Sequence, residues 1–246
     1  MSLWAKLDCA IDVGASRVRL LLRDRGVVLD ESVDELVDRD GFRDRGRLLA
    51  AILKAAFARV HLRTGWLCPV RRAVLAVPAG VSEMEKRIFE DALHSLGVKD
   101  VYLIESPMAA AMGAGSSVAE PKATCVVDIG ARLIQTAVIS LAGIVSCRSS
   151  ERTGALDAKR LTARVIELIR DNIEDCRNKG RFNLIDDLAE KGVVLTGGGA
   201  LTTGLASAVS EALNCPVRVA DQPQLAVVYG VAQVLPELDF LRVRRG

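Results

Sequence analysis

The chain has 246 residues, half of them hydrophobic and 26% charged, with a formal net charge of +2; this balance excludes a disordered chain and supplies apolar mass for one large or two small cores. Basic residues form no long stripe and aromatics are 4% of the chain, which disfavours a nucleic-acid partner. No apolar run reaches the about 20 residues of a membrane span, and Asp8 and Asp12 interrupt any signal-peptide core, so the sequence predicts a cytoplasmic protein.

In chain order, the first element is an apolar run at 7–13 that ends in Asp12-Val13-Gly14, followed by strands near 18–22 and 27–29. A short charged stretch, 30–45, leads to an amphipathic helix with Leu48, Leu49, Ile52, Ala56 and Val60 on one side. Then come a loop at 64–69, a β-branched strand at 73–77, a helix, a strand at 101–104 and a helix opened by Ser106-Pro107. The same order then recurs. Residues 125–129 end in Asp128-Ile129-Gly130, and strands follow near 136–139 and 144–146. The second amphipathic helix carries Leu161, Val165, Leu168, Ile169 and Ile173; a strand at 193–195 runs into Gly197-Gly198-Gly199, and a helix is expected to carry Leu201, Leu205, Val209 and Leu213. A strand at 217–219 and a last helix close the chain. Cysteine stands three residues before each aspartate, at Cys9 and Cys125.

Strands alternating with helices predict an α/β fold, and the repeated order predicts two lobes, 1–116 and 117–246, around a central cleft. An Asp-x-Gly turn alone is weak evidence, because turns are rich in both residues. Two at matching positions of a duplication point to phosphate: Gly14 and Gly130 let backbone N–H groups approach closely, while Asp12 and Asp128 are candidate ligands for Mg²⁺ or its waters. The turn at Gly197, Gly198, Gly199 and Ala200 is a third candidate, since side-chain-free backbone ahead of a helix suits a base or a phosphate. The cysteines at 9, 68, 125, 147, 176 and 215 have neither zinc nor redox spacing and read as reduced thiols, several of them within apolar strand-like runs.

Four ordered stretches, 74–80 (VLAVPAG), 103–115 (LIESPMAAAMGAG), 126–130 (VVDIG) and 192–201 (GVVLTGGGAL), resemble the actin, Hsp70 and sugar-kinase superfamily, and within it the MreB family. The resemblance covers nearly the whole chain. It implies duplicated actin-like, ribonuclease H-like lobes that bind ATP or ADP with Mg²⁺, self-association or a partnership with a full-length MreB-type filament, and a peripheral place on the inner face of the cell membrane.

The departures from that pattern are specific. Ala15 and Arg17 replace small hydroxyl and amide residues in the first phosphate loop, and the second reads Gly130-Ala131-Arg132-Leu133-Ile134 where the family continues with glycines and threonines. Arg17 and Arg132 remain able to pair with phosphate as charges. The family's water-positioning glutamate is replaced by Ser106, with Glu105 one residue too early, so no catalytic residue is expected. The stretches 30–45 and 152–191 are too short for the outer subdomains the family inserts, which predicts the two inner subdomains alone. Nucleotide bound without efficient hydrolysis and a cleft that has lost nucleotide both remain open.

Trp66 and Leu67 sit in a loop that should be solvated; the matching loop in the resembled family dips an apolar pair into the membrane, and nearby Arg63, Arg71 and Arg72 suit anionic head groups. The competing reading is a lid on the first lobe. The functional alternatives are an actin-like cytoskeletal or scaffold protein for cell shape, an active filament ATPase, a non-polymerising partner of a full-length MreB, and a small-molecule kinase, which the short inserts disfavour.

Overall fold

Runs of Val, Ile and Leu, buried almost continuously in the central strands, build two five-stranded sheets in the computed structural model, which describes residues 7–38, 45–64, 70–152 and 157–239. The chain divides into two compact units, one of residues 1–104 and 231–246 and the other of residues 105–230.

In the first unit, β1 (Leu7–Val13), β2 (Arg17–Leu22) and β3 (Gly26–Ser32) form an antiparallel meander. Next come the one-turn helix α1 (Val33–Leu36) and α2 (Arg45–Thr64); β4 (Val70–Val77) then lies parallel to β1. Helix α3 (Glu83–Ser95) starts at a capping box in which Ser82 and Glu85 satisfy each other's backbone N–H, and β5 (Asp100–Glu105) completes the order β3-β2-β1-β4-β5. Leu49, Ile52, Leu53, Ala56 and Phe57 of α2 bury a stripe at helical spacing against Ile11, Leu20, Leu22 and Leu75 of the sheet.

The second unit opens on α4 (Ser106–Gly113) and repeats the plan. β6 (Thr124–Ile129), β7 (Leu133–Ser140) and β8 (Gly143–Glu151) form the meander, and α5 (Ala158–Asn178) is N-capped by the Asp157 carboxylate accepting from Arg160 N–H at 2.8 Å. Then come α6 (Phe182–Lys191), β9 (Val193–Thr196), a 3₁₀ turn (Gly198–Leu201), α7 (Leu205–Leu213), β10 (Val217–Val219) and α8 (Ala226–Val234). The order β10-β9-β6-β7-β8, taken from β8, is that of the first sheet. Gly113 of α4 and Gly230 of α8 let the two backbones touch: a Cβ on either would fall 1.8 Å from a carbonyl oxygen of the other helix.

Two details differ from the sequence reading. The duplication suggests a division at 116/117, whereas the compact units separate at 104/105 and 230/231: α4 packs on β6 and β7, and residues 231–239 join the first unit, where Asp239 pairs with Arg72 and Arg23. Leu201 is not on the buried face of a helix. It ends the 3₁₀ turn, 57% exposed, because Gly204 takes a left-handed conformation (φ 78°) and α7 begins only at Leu205. The two expected gaps in the plan are present: only α1 and residues 37–44 separate β3 from α2, and only α6 and a short turn separate α5 from β9.

Candidate functional site

The two Asp-x-Gly turns are built alike. In the first, Gly14 N–H donates to Arg17 O (2.9 Å) and Val33 N–H to Ser16 O (2.9 Å); in the second, Gly130 N–H donates to Leu133 O (2.9 Å) and Arg152 N–H to Arg132 O (2.7 Å). The N–H groups at the tips, on Ala15 and Ser16 and on Ala131 and Arg132, have no acceptor among the described residues. A Cβ on Gly14 or Gly130 would lie 3.1 or 3.0 Å from the carbonyl that closes its turn, so a larger residue would press on that closure.

In the second unit, the triple-glycine turn sits directly against the Asp128 turn. Gly197 has φ 77°, and a Cβ there would lie 2.5 Å from Ile129 O and 2.7 Å from Asp128 Oδ1; a Cβ on Gly199 would lie 2.1 Å from Ile129 Cγ2. Thr196 Oγ1 donates to Val127 O (3.3 Å) and reaches Asp128 Oδ1 (3.4 Å), which orients the carboxylate. Gly197 N–H is taken by Pro223 O (2.7 Å), while the N–H groups of Gly198 and Gly199 open the 3₁₀ turn and have no acceptor among the described residues. Around Gly198 there is room: the nearest atom to a Cβ would be the Gln224 amide, at 4.0 Å. Asp128, Gly130, Gly197, Gly198, Gly199 and Ala200 are therefore brought together on one edge of this unit, and free N–H groups with open space fit a phosphate or the flat face of a nucleoside.

The first unit's turn has a different chemistry. Asp12, Arg19 and Asp30 are register partners on β1, β2 and β3. Arg19 Nη1 donates to Asp12 Oδ2 (3.2 Å), and its Nε lies 3.3 Å from Asp30 Oδ1. Arg17 Nε donates to the same Asp30 oxygen (2.6 Å) and its Nη2 to Asp30 O (2.8 Å). Burial raises the Asp12 carboxyl above its usual range, with Arg19 acting in the opposite direction. Arg17 is thus held by Asp30 rather than presented to the turn, and Asp12 already faces a guanidinium. A divalent cation does not fit Asp12 in this arrangement. Among the described residues, no group of three or more His, Cys, Asp or Glu side chains is placed to hold a metal.

Ser106 is the first residue of α4, and Glu105 precedes it as N-cap without a side-chain cap bond. The Glu105 carboxylate lies near Cys147 of β8: burial first, and then this charge, push the Cys147 thiol up to about 11. Trp66 and Leu67 lie outside the described residues. Five described cysteines are free thiols, and burial raises Cys125 to about 12, so it is inert.

Four contributors escaped the sequence reading. Arg152 Nη1 donates to Gly130 O (2.7 Å), buttressing the second turn with a cation. Pro223 and Gln224 border the glycine turn, and the polar, proline-bearing run 221–224 after β10 was the available signal. Arg19 was detectable only as a charge alternating with leucines and valines in β2.

The sequence profile described as MreB/Mbl protein matches residues 39–172 and 157–243. The chain belongs to the MreB/Mbl family. Curated relatives in that family include the cell shape-determining protein MreB of Escherichia coli (strain K12), 26% identical over 331 positions covering 94% of each chain. Another is the cell shape-determining protein Mbl of Bacillus subtilis (strain 168), 25% identical over 329 positions covering 97% of this chain and 98% of the relative. Both alignments are longer than the 246 residues of this chain, so the relatives carry residues it lacks, and this is a shortened MreB/Mbl form. Among solved structures, MreB5 of Spiroplasma citri bound to ADP superposes with a TM-score of 0.79 at 16% identity, covering 98% of this chain and 99% of that one. The AMPPNP complex of the same protein gives 0.77, again at 16% identity, with the same coverage of both chains. The fold is therefore actin-like, built from duplicated lobes. Among the described residues, no helix is long and apolar enough to cross a membrane.

Proposed function

We propose that this chain is a shortened actin-type cytoskeletal or scaffold protein acting in cell shape and wall morphogenesis, one that binds ATP or ADP and hydrolyses it weakly or not at all. The observation that carries the nucleotide reading is the second unit's glycine turn, where Gly198 and Gly199 offer free N–H groups beside Asp128 and Gly130. Nucleotide-bound MreB5 of Spiroplasma citri shares the fold, which supports the same reading. Weak hydrolysis follows from residues that offer nothing to the reaction. Ser106 cannot act as the positioning carboxylate, Leu133 and Ile134 provide no side-chain donor, and Arg17 is engaged by Asp30. Phosphoryl transfer depends on positioned charge, so such losses cost orders of magnitude in rate.

Gly198→Val tests the site. Its Cβ enters open space, so the fold should survive while the added side chain blocks the approach to the turn. Titration with a fluorescent ATP analogue should show at least a tenfold loss of affinity with an unchanged circular dichroism spectrum. Equal binding by wild type and variant removes this site. A second reading, a non-polymerising partner of a full-length MreB filament, is favoured by the residues this chain lacks relative to its relatives. Co-sedimentation with a full-length MreB, against the chain alone, separates the two.

The proposed location is the inner surface of the cell membrane, with Trp66 and Leu67 as the apolar contact. Wild type should pellet with anionic liposomes more strongly than Trp66→Ala; equal pelleting removes the contact.

A further inference from the structure

The first unit's turn contains its own cation. Asp12, Arg19, Asp30 and Arg17 form a row of alternating charge on the β1-β2-β3 meander, with contacts of 3.2, 3.3 and 2.6 Å, and the Arg19 and Asp12 side chains are 11% and 13% exposed. We infer that Arg19 is a resident cation that takes the place of a divalent metal at Asp12, so that this carboxylate binds no divalent cation. The inference does not rest on the nucleotide reading above.

The argument is one of charge and space. A directly bound Mg²⁺ would need an Asp12 oxygen at about 2.1 Å, and one held through its waters would need room for those waters beside the same carboxylate. The Arg19 guanidinium already lies against Oδ2 and is nearly enclosed. It cannot lose its proton to relieve the repulsion a second cation would create. Nor can it swing aside cheaply, because Asp30 Oδ1 lies 3.3 Å from its Nε and is held by Arg17 Nε, while Arg17 Nη2 holds the Asp30 backbone oxygen. The internal duplication supplies a control. The same row in the second unit is Asp128, Gln135 and Ser149, with no cation, so the metal-excluding element belongs to Arg19 and not to the fold.

Mn²⁺ binding to the full, nucleotide-free chain, read by electron paramagnetic resonance, decides it. Wild-type uptake should equal that of Asp12→Asn. Arg19→Gln, which copies the second unit, should gain an Mn²⁺ signal that the double variant with Asp12→Asn loses. A wild-type Mn²⁺ site abolished by Asp12→Asn, or an Arg19→Gln protein that gains no signal, overturns the inference. Because no nucleotide is present, failure of the nucleotide reading leaves this result standing. Should Arg19→Gln not fold, the comparison of wild type with Asp12→Asn decides alone.

Discussion

The two units share a strand order and the hydrogen bonds of their turns, yet they fill equivalent positions with opposite chemistry. Where the first unit has Asp8 on β1 beside Arg72 on β4, the second has Thr124 and Gly192. Where the first has Asp12 facing Arg19, the second has Asp128 facing Gln135. Buried polarity in the first unit is ionic: Arg72 donates to both Asp8 oxygens and to Asp239 (2.7 Å), and Arg23 reaches Asp239 (2.7 Å). In the second it is neutral: Asn172 donates to Thr136 Oγ1 (2.9 Å) and accepts from Ser146 Oγ (2.7 Å). A duplicated backbone therefore does not carry a duplicated site. Both Asp-x-Gly turns keep free N–H groups at their tips, but only the second unit adds those of Gly198 and Gly199 beside open space, whereas in the first the turn's aspartate is already paired with Arg19.

The largest effect expected from breaking this contrast is at Arg72. Arg72→Met leaves the buried Asp8 with only the longer contact to Arg23 (3.5 Å), and should cost about 3–4 kcal/mol in urea denaturation. Next come two glycines with the same φ of 77° and different surroundings. Gly197→Ala meets Ile129 O and Asp128 Oδ1 and should cost about 3 kcal/mol, whereas Gly80→Ala meets nothing and should cost about 1 kcal/mol, from backbone strain alone. Equal costs would mean that the glycine turn is not packed on the Asp128 turn.

Acid titration separates the units by sign. Lys179 and Ser146 hydrogen bonds lower Asp175 in the second unit from 3.8 to about 2, so its contribution is complete above about 3.8 and is lost as pH falls towards 2. Asp175→Asn should flatten stability across that window. Asp12 in the first unit is raised by burial, so its folded form takes up a proton more readily than the unfolded chain, and protonation there relieves a cost as pH falls. Asp12→Asn should therefore remove a gain on acidification, not a loss. The smallest effect is at half-exposed Asp239: Asp239→Asn should lower the melting temperature slightly at low salt and not at 0.5 M on the order of screening set by a Debye length of about 4 Å.

The fold was legible because its signals are periodic and repeated. Cys9 and Asp12 recur as Cys125 and Asp128, and both amphipathic helices show their stripe in the sequence alone. The glycine turn and both Asp-x-Gly turns were legible as motifs for the same reason. The pairing of Arg17 with Asp30 was not legible because it is set by strand register: placing Arg17 opposite Ser32 brings Asp30 within diagonal reach on the neighbouring strand. Arg19 needed two registers at once, β1 with β2 and β2 with β3. Arg152 and Gln224 reach their turns only once β8 and the loop after β10 are placed in space. Leu201 kept the helical spacing, but Gly204 ended the turn before the helix began.

The most direct test of the account is phosphate release from saturating Mg·ATP by the full chain, measured beside the cell shape-determining MreB of Escherichia coli. With Ser106 at the positioning site and both turns altered, the account predicts a rate at least about 100-fold below that relative, from a protein that still binds the nucleotide. Turnover equal to the relative's would contradict it.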